Sequence, residues 1–218
     1  MPFDLIIFDC DGVLIDSEPV SNRILVQALA ELGLHISYEE AVATFVGKSI
    51  SSIRLYIEER TGKALSPDFG KNLQARIIER FKTELSPIKN IHTAVEAIAK
   101  PMAVASSSNI EWIRAALERV KLLSYFDNNI FSAFQVKHGK PAPDVYLLAA
   151  EKMGFSPYKC AVIEDSPTGV KAGVAAGMTV FGYTGTFAAE QLIEAGAHLT
   201  FADMQKLPAL LGRLSTER

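Results

Sequence analysis

The sequence predicts an α/β fold, a doubly wound parallel sheet interrupted by an inserted all-helical domain. Three observations carry this. Short apolar runs recur, each followed by a polar turn and then helical periodicity: "LIIFD" at 5–9, "MAVAS" at 102–106, "CAVIE" at 160–164 and "MTVFGY" at 178–183. These runs are continuous rather than alternating, which suits strands covered on both faces. From about 18 to 84 the alternation stops and no good strand is found, a span well beyond an ordinary connection.

The first strand, 5–9, ends in two acids, Asp9 and Asp11, with Gly12 directly after them. Cys10, between the acids, is expected to point to the opposite face as a buried structural thiol. In the inserted block, "SNRILVQALAELG" sets Ile24, Leu25, Ala28, Leu29 and Leu32 on one helical face, and Gly33 stops the helix. "SSIRLYIEERTG" repeats the form with Ile53, Ile57 and Gly62, and a charged third helix runs from Pro67. The turn-rich stretches "DGVLIDSEP" (11–19) and "LSPIKN" (85–90) bound the block, so the predicted domains are 1–17 with 86–218 and 18–85. An insertion held by two linkers suggests a lid over whatever the first strand presents. After it, helices are expected at about 109–120, 143–153 and 167–176, and "NNIFSA" at 128–133 is a weaker strand. Strand–helix alternation of this kind gives an open, Rossmann-like sheet.

Composition bounds the function. The 218 residues are 49% hydrophobic and 22% charged, which excludes a disordered or fibrous chain and suits one domain with a smaller companion. A net charge of −3 without a basic stripe gives a nucleic-acid partner no support. The two cysteines, Cys10 and Cys160, have neither metal nor redox spacing and suit a reducing compartment. The N-terminal apolar run is short, is cut by Asp9 and lacks a basic leader, and no stretch is suited to spanning a membrane. A cytoplasmic protein, monomeric or weakly dimeric, is the expectation.

In open α/β sheets ligands bind beyond the carboxyl ends of the strands. Those ends carry Asp9 and Asp11, then Ser106, then Glu164 and Asp165, while Lys140 lies in the loop "GKPAPD" before a helix. Any one of these alone is more often a turn residue. Four carboxylates in one crevice repel each other unless a cation is present, and oxygen donors suit a hard ion such as Mg²⁺. Lys140, the Ser106 hydroxyl and the amides of helix starts after Ser106 and Asp165 favour an anion, with Ser166 as cap and Pro167 in the first turn. The set describes a phosphate site. Taken from the residues alone, Ser106, Ser107, Ser108 and Asn109 serve equally as helix caps, Lys137 competes with Lys140, and Glu164 can be a bystander.

"FDCDGVLIDSE", "ASSSN", "KPAPD" and "IEDSPTGVKAGVAAG" stand in order across residues 8 to 177. Together they resemble the four motifs of the haloacid dehalogenase-like hydrolase superfamily, nearest its β-phosphoglucomutase and sugar-phosphatase branch with a helical cap. The resemblance implies Asp9 as nucleophile, forming an aspartyl-phosphate, and Asp11 as general acid and then base. It implies Mg²⁺ held by Asp9, the Asp11 carbonyl and Asp165, with Glu164 as direct or outer-shell ligand. Ser106, the Ser107 amide and Lys140 would hold the phosphoryl oxygens, and Lys140 would keep Asp9 ionised.

Dehalogenases of the superfamily generally lack the second acid, so Asp11 argues against dehalogenation. Mutases of the nearest branch carry a His and an Arg at positions occupied here by Ser21 and Ile50. A phosphatase acting on a small sugar or sugar-acid phosphate is therefore favoured over a mutase. The turn "FVGKSI", with Gly47 and Lys48, is the candidate substrate-facing segment, and Asn109 and Ser21 are candidate substrate contacts. Lys48 could equally be a solvated lysine. A phospho-receiver signalling domain also uses acids, a hydroxyl, a Lys and Mg²⁺ on such a sheet; the insertion and the acid pairs after two separate strands oppose that reading.

Overall fold

The computed structural model describes residues 3–46, 48, 50–126 and 128–213. They form two compact units, one made of the described residues up to Asp16 and from Ser86 onward, the other of those between Ser17 and Leu85.

In chain order, β1 (Leu5–Phe8) and β2 (Ile15–Asp16) lead into four helices, α1 (Glu18–Glu31), α2 (Tyr38–Phe45), α3 (Ile50–Thr61) and α4 (Phe69–Glu84). The chain returns through β3 (Ser86–Pro87), α5 (Ile91–Ala97), β4 (Met102–Ser106), α6 (Ile110–Arg119), α7 (Leu123–Phe126) and β5 (Ile130–Ser132). It ends with α8 (Asp144–Met153), β6 (Cys160–Glu164), α9 (Pro167–Ala175), β7 (Thr179–Tyr183), α10 (Ala189–Glu194), β8 (Leu199–Phe201) and α11 (Leu207–Arg213).

The larger unit is a six-stranded sheet in the order β5-β4-β1-β6-β7-β8, every pair parallel. This is the fold class expected from the sequence. From β1 the chain moves to β4 and β5 on one side, then crosses to β6, β7 and β8 on the other. The strand order therefore reverses between β1 and β6, where open sheets leave a crevice at the carboxyl ends. The central strand residues are mostly apolar and buried, and on one face Leu5, Ile7, Cys160 and Val162 pack with Val145, Tyr146 and Ala149 of α8 and Val170 and Ala172 of α9. A second, two-stranded sheet pairs β2 with β3 antiparallel, Ile15 opposite Pro87 and Asp16 opposite Ser86. It joins the strand that leaves the larger unit to the one that returns to it.

The helical unit follows its sequence pattern. In α1, Ile24, Leu25, Ala28 and Leu29 are buried, and α1 packs on α2 and α4. Ile53 and Ile57 are the buried residues of α3, and Phe45 meets Tyr56 edge to face at 4.9 Å.

Several boundaries differ from the sequence reading. Helix α1 starts at Glu18, because Pro19 fits the first turn, whose amides need no internal acceptor. Helix α4 starts at Phe69 rather than Pro67, with Asp68 at its cap position. Helix α2, capped by Ser37 Oγ accepting from the Glu40 N–H at 3.0 Å, was not expected, since it buries only Ala41 and Phe45. The sequence also gave no notice of α5, nor of β8, α10 and α11 beyond residue 183. Among the described residues no helix is long and apolar enough to cross a membrane.

Candidate active site

The site is built by strand register. Phe8 pairs with Ile163 on one side and Val104 on the other, and the Asp9 N–H donates to the Ile163 carbonyl at 3.0 Å. Asp9 thus lies one step past the last paired residue of β1, level with Glu164 at the end of β6. Side chains alternate along a strand, so Asp9 continues the face of Leu5 and Ile7, and Glu164 that of Cys160 and Val162. Both carboxylates emerge on the face covered by α8 and α9.

Lys140 reaches that point from the loop before α8. Its Nζ donates to Asp9 Oδ1 at 2.7 Å, to Glu164 Oε1 at 2.8 Å and to the Ala105 carbonyl at 3.2 Å. Lys137, the competing lysine, is exposed. Glu164 is wholly buried and receives three more donors: Tyr146 Oη to Oε1 at 2.9 Å, and the Ser166 N–H and Oγ to Oε2, each at 3.0 Å. Ser166 also caps α9, its Oγ accepting from the Gly169 N–H at 3.1 Å. A side chain on Gly169 would stand 1.5 Å from Glu164 Oε1, so the first turn of α9 must be bare there.

Gly12 has φ +79, and a Cβ on it would lie 2.0 Å from Asp165 Oδ2. The turn after Asp11 therefore needs glycine for its backbone and for the approach of the Asp165 carboxylate. Cys10 is buried; burial, then Asp11 and Asp9, push its thiol well above the usual range.

Asp9, Glu164 and Asp165 form a buried group in which one carboxylate oxygen from each lies within 4.8 Å of the others. Burial raises Asp9 to about 7; Lys140 opposes this, and Glu164 and Asp11 add to it. Lys140 does lower the Asp9 pKa as expected, but desolvation outweighs it. Burial likewise raises Asp165 well above the carboxylate range, with Glu164 and Asp9 adding and a hydrogen bond to Thr186 opposing. Burial works against the charge of Lys140, yet Asp9 and Glu164 more than offset it and hold the ammonium well above its ordinary value. Buried carboxylates in excess over one cation are the donor set of a hard metal ion, and this trio could hold one.

A small cavity of about 150 Å³ opens on this group, lined by Asp9, Asp11, Ser106, Ser107, Lys140, Glu164, Ser166 and Thr168. It has room for several waters at ~30 Å³ each. Two larger hollows, about 430 and 600 Å³, lie around Arg114 and Asn128 and hold none of the carboxylates. The chemistry, rather than the volume, places the site at the smaller one.

Not every candidate joins this group. Ser106 is buried and its Oγ accepts from the Ser108 N–H at 3.1 Å, so it does not cap α6. That cap is Asn109, whose Oδ1 accepts from the Trp112 N–H at 2.8 Å, which gives this candidate substrate contact a structural task. Ser21 donates to the Ser17 carbonyl at 2.9 Å within its own helix. Lys48 is exposed, and Gly47 lies outside the described residues. The sequence reading missed Tyr146 and Ser132 and gave Ser108 no role beyond a cap. Their partners lie far off in the chain, and only "KPAPD" just ahead of Tyr146 marked the region.

The arrangement can be compared with known proteins. A family model described as haloacid dehalogenase-like hydrolase matches residues 3–177. The chain is 27% identical to the 6-phosphogluconate phosphatase of Escherichia coli K12, covering 95% of this chain and 94% of that protein. It is 32% identical to hexitol phosphatase A of the same strain over 80% of each chain. Among solved structures, a HAD family hydrolase from Deinococcus radiodurans R1 with bound phosphate and sodium matches at a TM-score of 0.85. That structure is 31% identical, with 98% of this chain and 97% of that one covered.

Proposed function

The chain belongs to the haloacid dehalogenase-like hydrolases and is a phosphatase, and we propose that it hydrolyses a small sugar or sugar-acid phosphate through a phosphoryl group carried on Asp9. One observation carries the reading: Asp9 ends the strand beside the sheet's reversal point, held by Lys140 at 2.7 Å, with Asp11 two residues on and Asp165 beside it.

In the first step an Asp9 carboxylate oxygen attacks phosphorus. The bond from phosphorus to the ester oxygen breaks, and Asp11 gives its proton to that oxygen, so the alcohol leaves neutral. In the second step water attacks phosphorus and gives a proton to Asp11. The bond from phosphorus to Asp9 breaks, releasing inorganic phosphate and restoring both acids. Lys140 orients Asp9 and, with Ser106 and the Ser107 amide, would face the phosphoryl oxygens. Catalysis of this kind is mainly positioning and charge neutralisation.

Asp9, Asp165 and the Asp11 main-chain carbonyl would hold Mg²⁺, with Glu164 beside them. When bound, the ion supplies positive charge that offsets the phosphoryl oxygens and the crowded carboxylates. The raised pKa of Asp9, about 7, supports the fit, because burial without such a cation disfavours the ionised nucleophile.

Sugar phosphates are the favoured class because both named relatives are phosphatases of sugar-derived compounds. The helical unit is proposed to select among them, with Lys48 as a candidate partner for a second anion. Ser21 and Ile50, where the mutases carry His and Arg, support hydrolysis over transfer back to a sugar.

The test is hydrolysis of p-nitrophenyl phosphate and of a panel of sugar phosphates with and without Mg²⁺. Wild-type protein should act only with the ion, and Asp9→Asn should be inactive while melting close to wild type. An Asp9→Asn protein of undiminished rate would remove the nucleophile, and interconversion of hexose 1- and 6-phosphates would overturn the choice against a mutase.

A further inference from the structure

Asp11 is not left to find its own orientation. Ser108 Oγ donates to Asp11 Oδ2 at 3.2 Å, and the backbone of Ser108 is fixed on both polar sides. Its N–H donates to Ser106 Oγ at 3.1 Å, and its carbonyl accepts from Ser132 Oγ at 2.7 Å. Ser132 ends β5, is wholly buried, and pairs in register with Ser106 at the end of β4. Its own N–H is held by Gln135 Oε1 at 2.8 Å, and its Oγ accepts from the Phe134 N–H at 3.1 Å. Two adjacent strand ends therefore fix one serine against Asp11, and none of the steps above uses Ser108 or Ser132.

We propose that Ser108 is a positioning residue for Asp11, and that the Ser132 hydroxyl sets the loop that presents it. The proposal rests on Asp11 as the proton donor to the leaving oxygen. The terminal torsion of an aspartate is broad and nearly two-fold, so its two oxygens exchange places easily unless a neighbour distinguishes them. Ser108 distinguishes them. With Oδ2 accepting from the hydroxyl, the proton of the acid form is carried on Oδ1. When that proton has gone to the leaving alcohol, the same hydrogen bond holds the carboxylate in place to receive one from water.

The dependence of kcat/KM on the leaving group reads this directly, because kcat/KM covers only the steps through release of the alcohol. The probes are p-nitrophenyl, phenyl and p-methoxyphenyl phosphate with Mg²⁺, in order of increasing need for a proton. Ser108→Ala should lose about tenfold more on the phenyl ester than on the p-nitrophenyl ester, a fraction of the ~10²–10⁴ that acid–base catalysis supplies. Ser108→Thr, which keeps the hydroxyl, should restore the wild-type slope, and Ser132→Ala should steepen it less than Ser108→Ala. Asp11→Asn should show the steepest slope of all. If it does while Ser108→Ala keeps the wild-type slope, the Ser108 proposal is wrong and the Asp11 reading stands. A loss of equal size on every ester, with or without a lower melting temperature, makes Ser108 structural only and overturns the proposal. A wild-type slope in Asp11→Asn removes the acid assignment, and the Ser108 proposal with it.

Discussion

At Tyr146 the phenol Oη lies 2.9 Å from Glu164 Oε1, and the Lys140 ammonium stands 4.8 Å from the ring centroid. The residue has no proton to exchange near neutrality, because burial and then Glu164 hold it well above the ordinary tyrosine range. Its effect is geometric: it helps fix the carboxylate that in turn fixes Lys140. Tyr146→Phe keeps the ring and loses one hydrogen bond to a charged acceptor, worth about 1.5–3 kcal/mol. Denaturant titration should find a loss of that size; a loss below a few tenths would mean the hydroxyl is replaceable by water. The sequence could not mark this residue, since an aromatic between Val145 and Ala149 on a helix reads as core, and its polar partner stands 18 residues away. The acids at strand ends were legible because they recur, with Ser106, at the ends of separate apolar strands, where any one alone would pass for a turn residue.

Elements were legible in proportion to how much apolar surface they bury. The strands β1, β4, β6 and β7 are near-continuous apolar runs and were placed to within a residue. Strand β5, only three residues at the sheet edge, gave a weak signal, and the three residues of β8 gave none. Helices α6, α8 and α9 start within a residue of their expected positions, and of the four equal cap candidates before α6 it is Asn109 whose side chain reaches a free amide. The turn between β1 and β2 offers a controlled test. Gly12→Ala meets both a positive φ and Asp165 at 2.0 Å, whereas Gly177→Ala meets φ +73 with nothing within 4 Å. The second should cost about 1 kcal/mol, the ordinary conformational penalty. The first should cost clearly more and lower the affinity for Mg²⁺, measured by calorimetry; equal costs would show that Asp165 moves aside freely.

For the whole molecule, the buried carboxylates link folding, pH and metal binding. The folded pKa of Asp9 is raised to about 7 from an ordinary 3.8. The folded chain therefore holds a proton there that the unfolded chain has lost, and without metal this group makes stability fall as pH rises between those values. The proposed Mg²⁺ would bind the ionised form, so its stabilisation should grow over the same interval. Melting curves at pH 5.5 and 8 should give a larger Mg²⁺-induced rise in Tm at the higher pH. An equal rise at both would place the ion away from Asp9.

A phosphoryl group carried by Asp9 is the centre of the proposed mechanism. In Asp11→Asn, p-nitrophenol can still leave without an acid, while the water step lacks its base, so the phosphoprotein should accumulate. Acid quench of that variant with p-nitrophenyl phosphate and Mg²⁺, followed by borohydride reduction and peptide mass spectrometry, reads the position. The prediction is conversion of residue 9 alone to homoserine. Release of p-nitrophenol over many turnovers, with no phosphorylated or reduced residue 9, would contradict it.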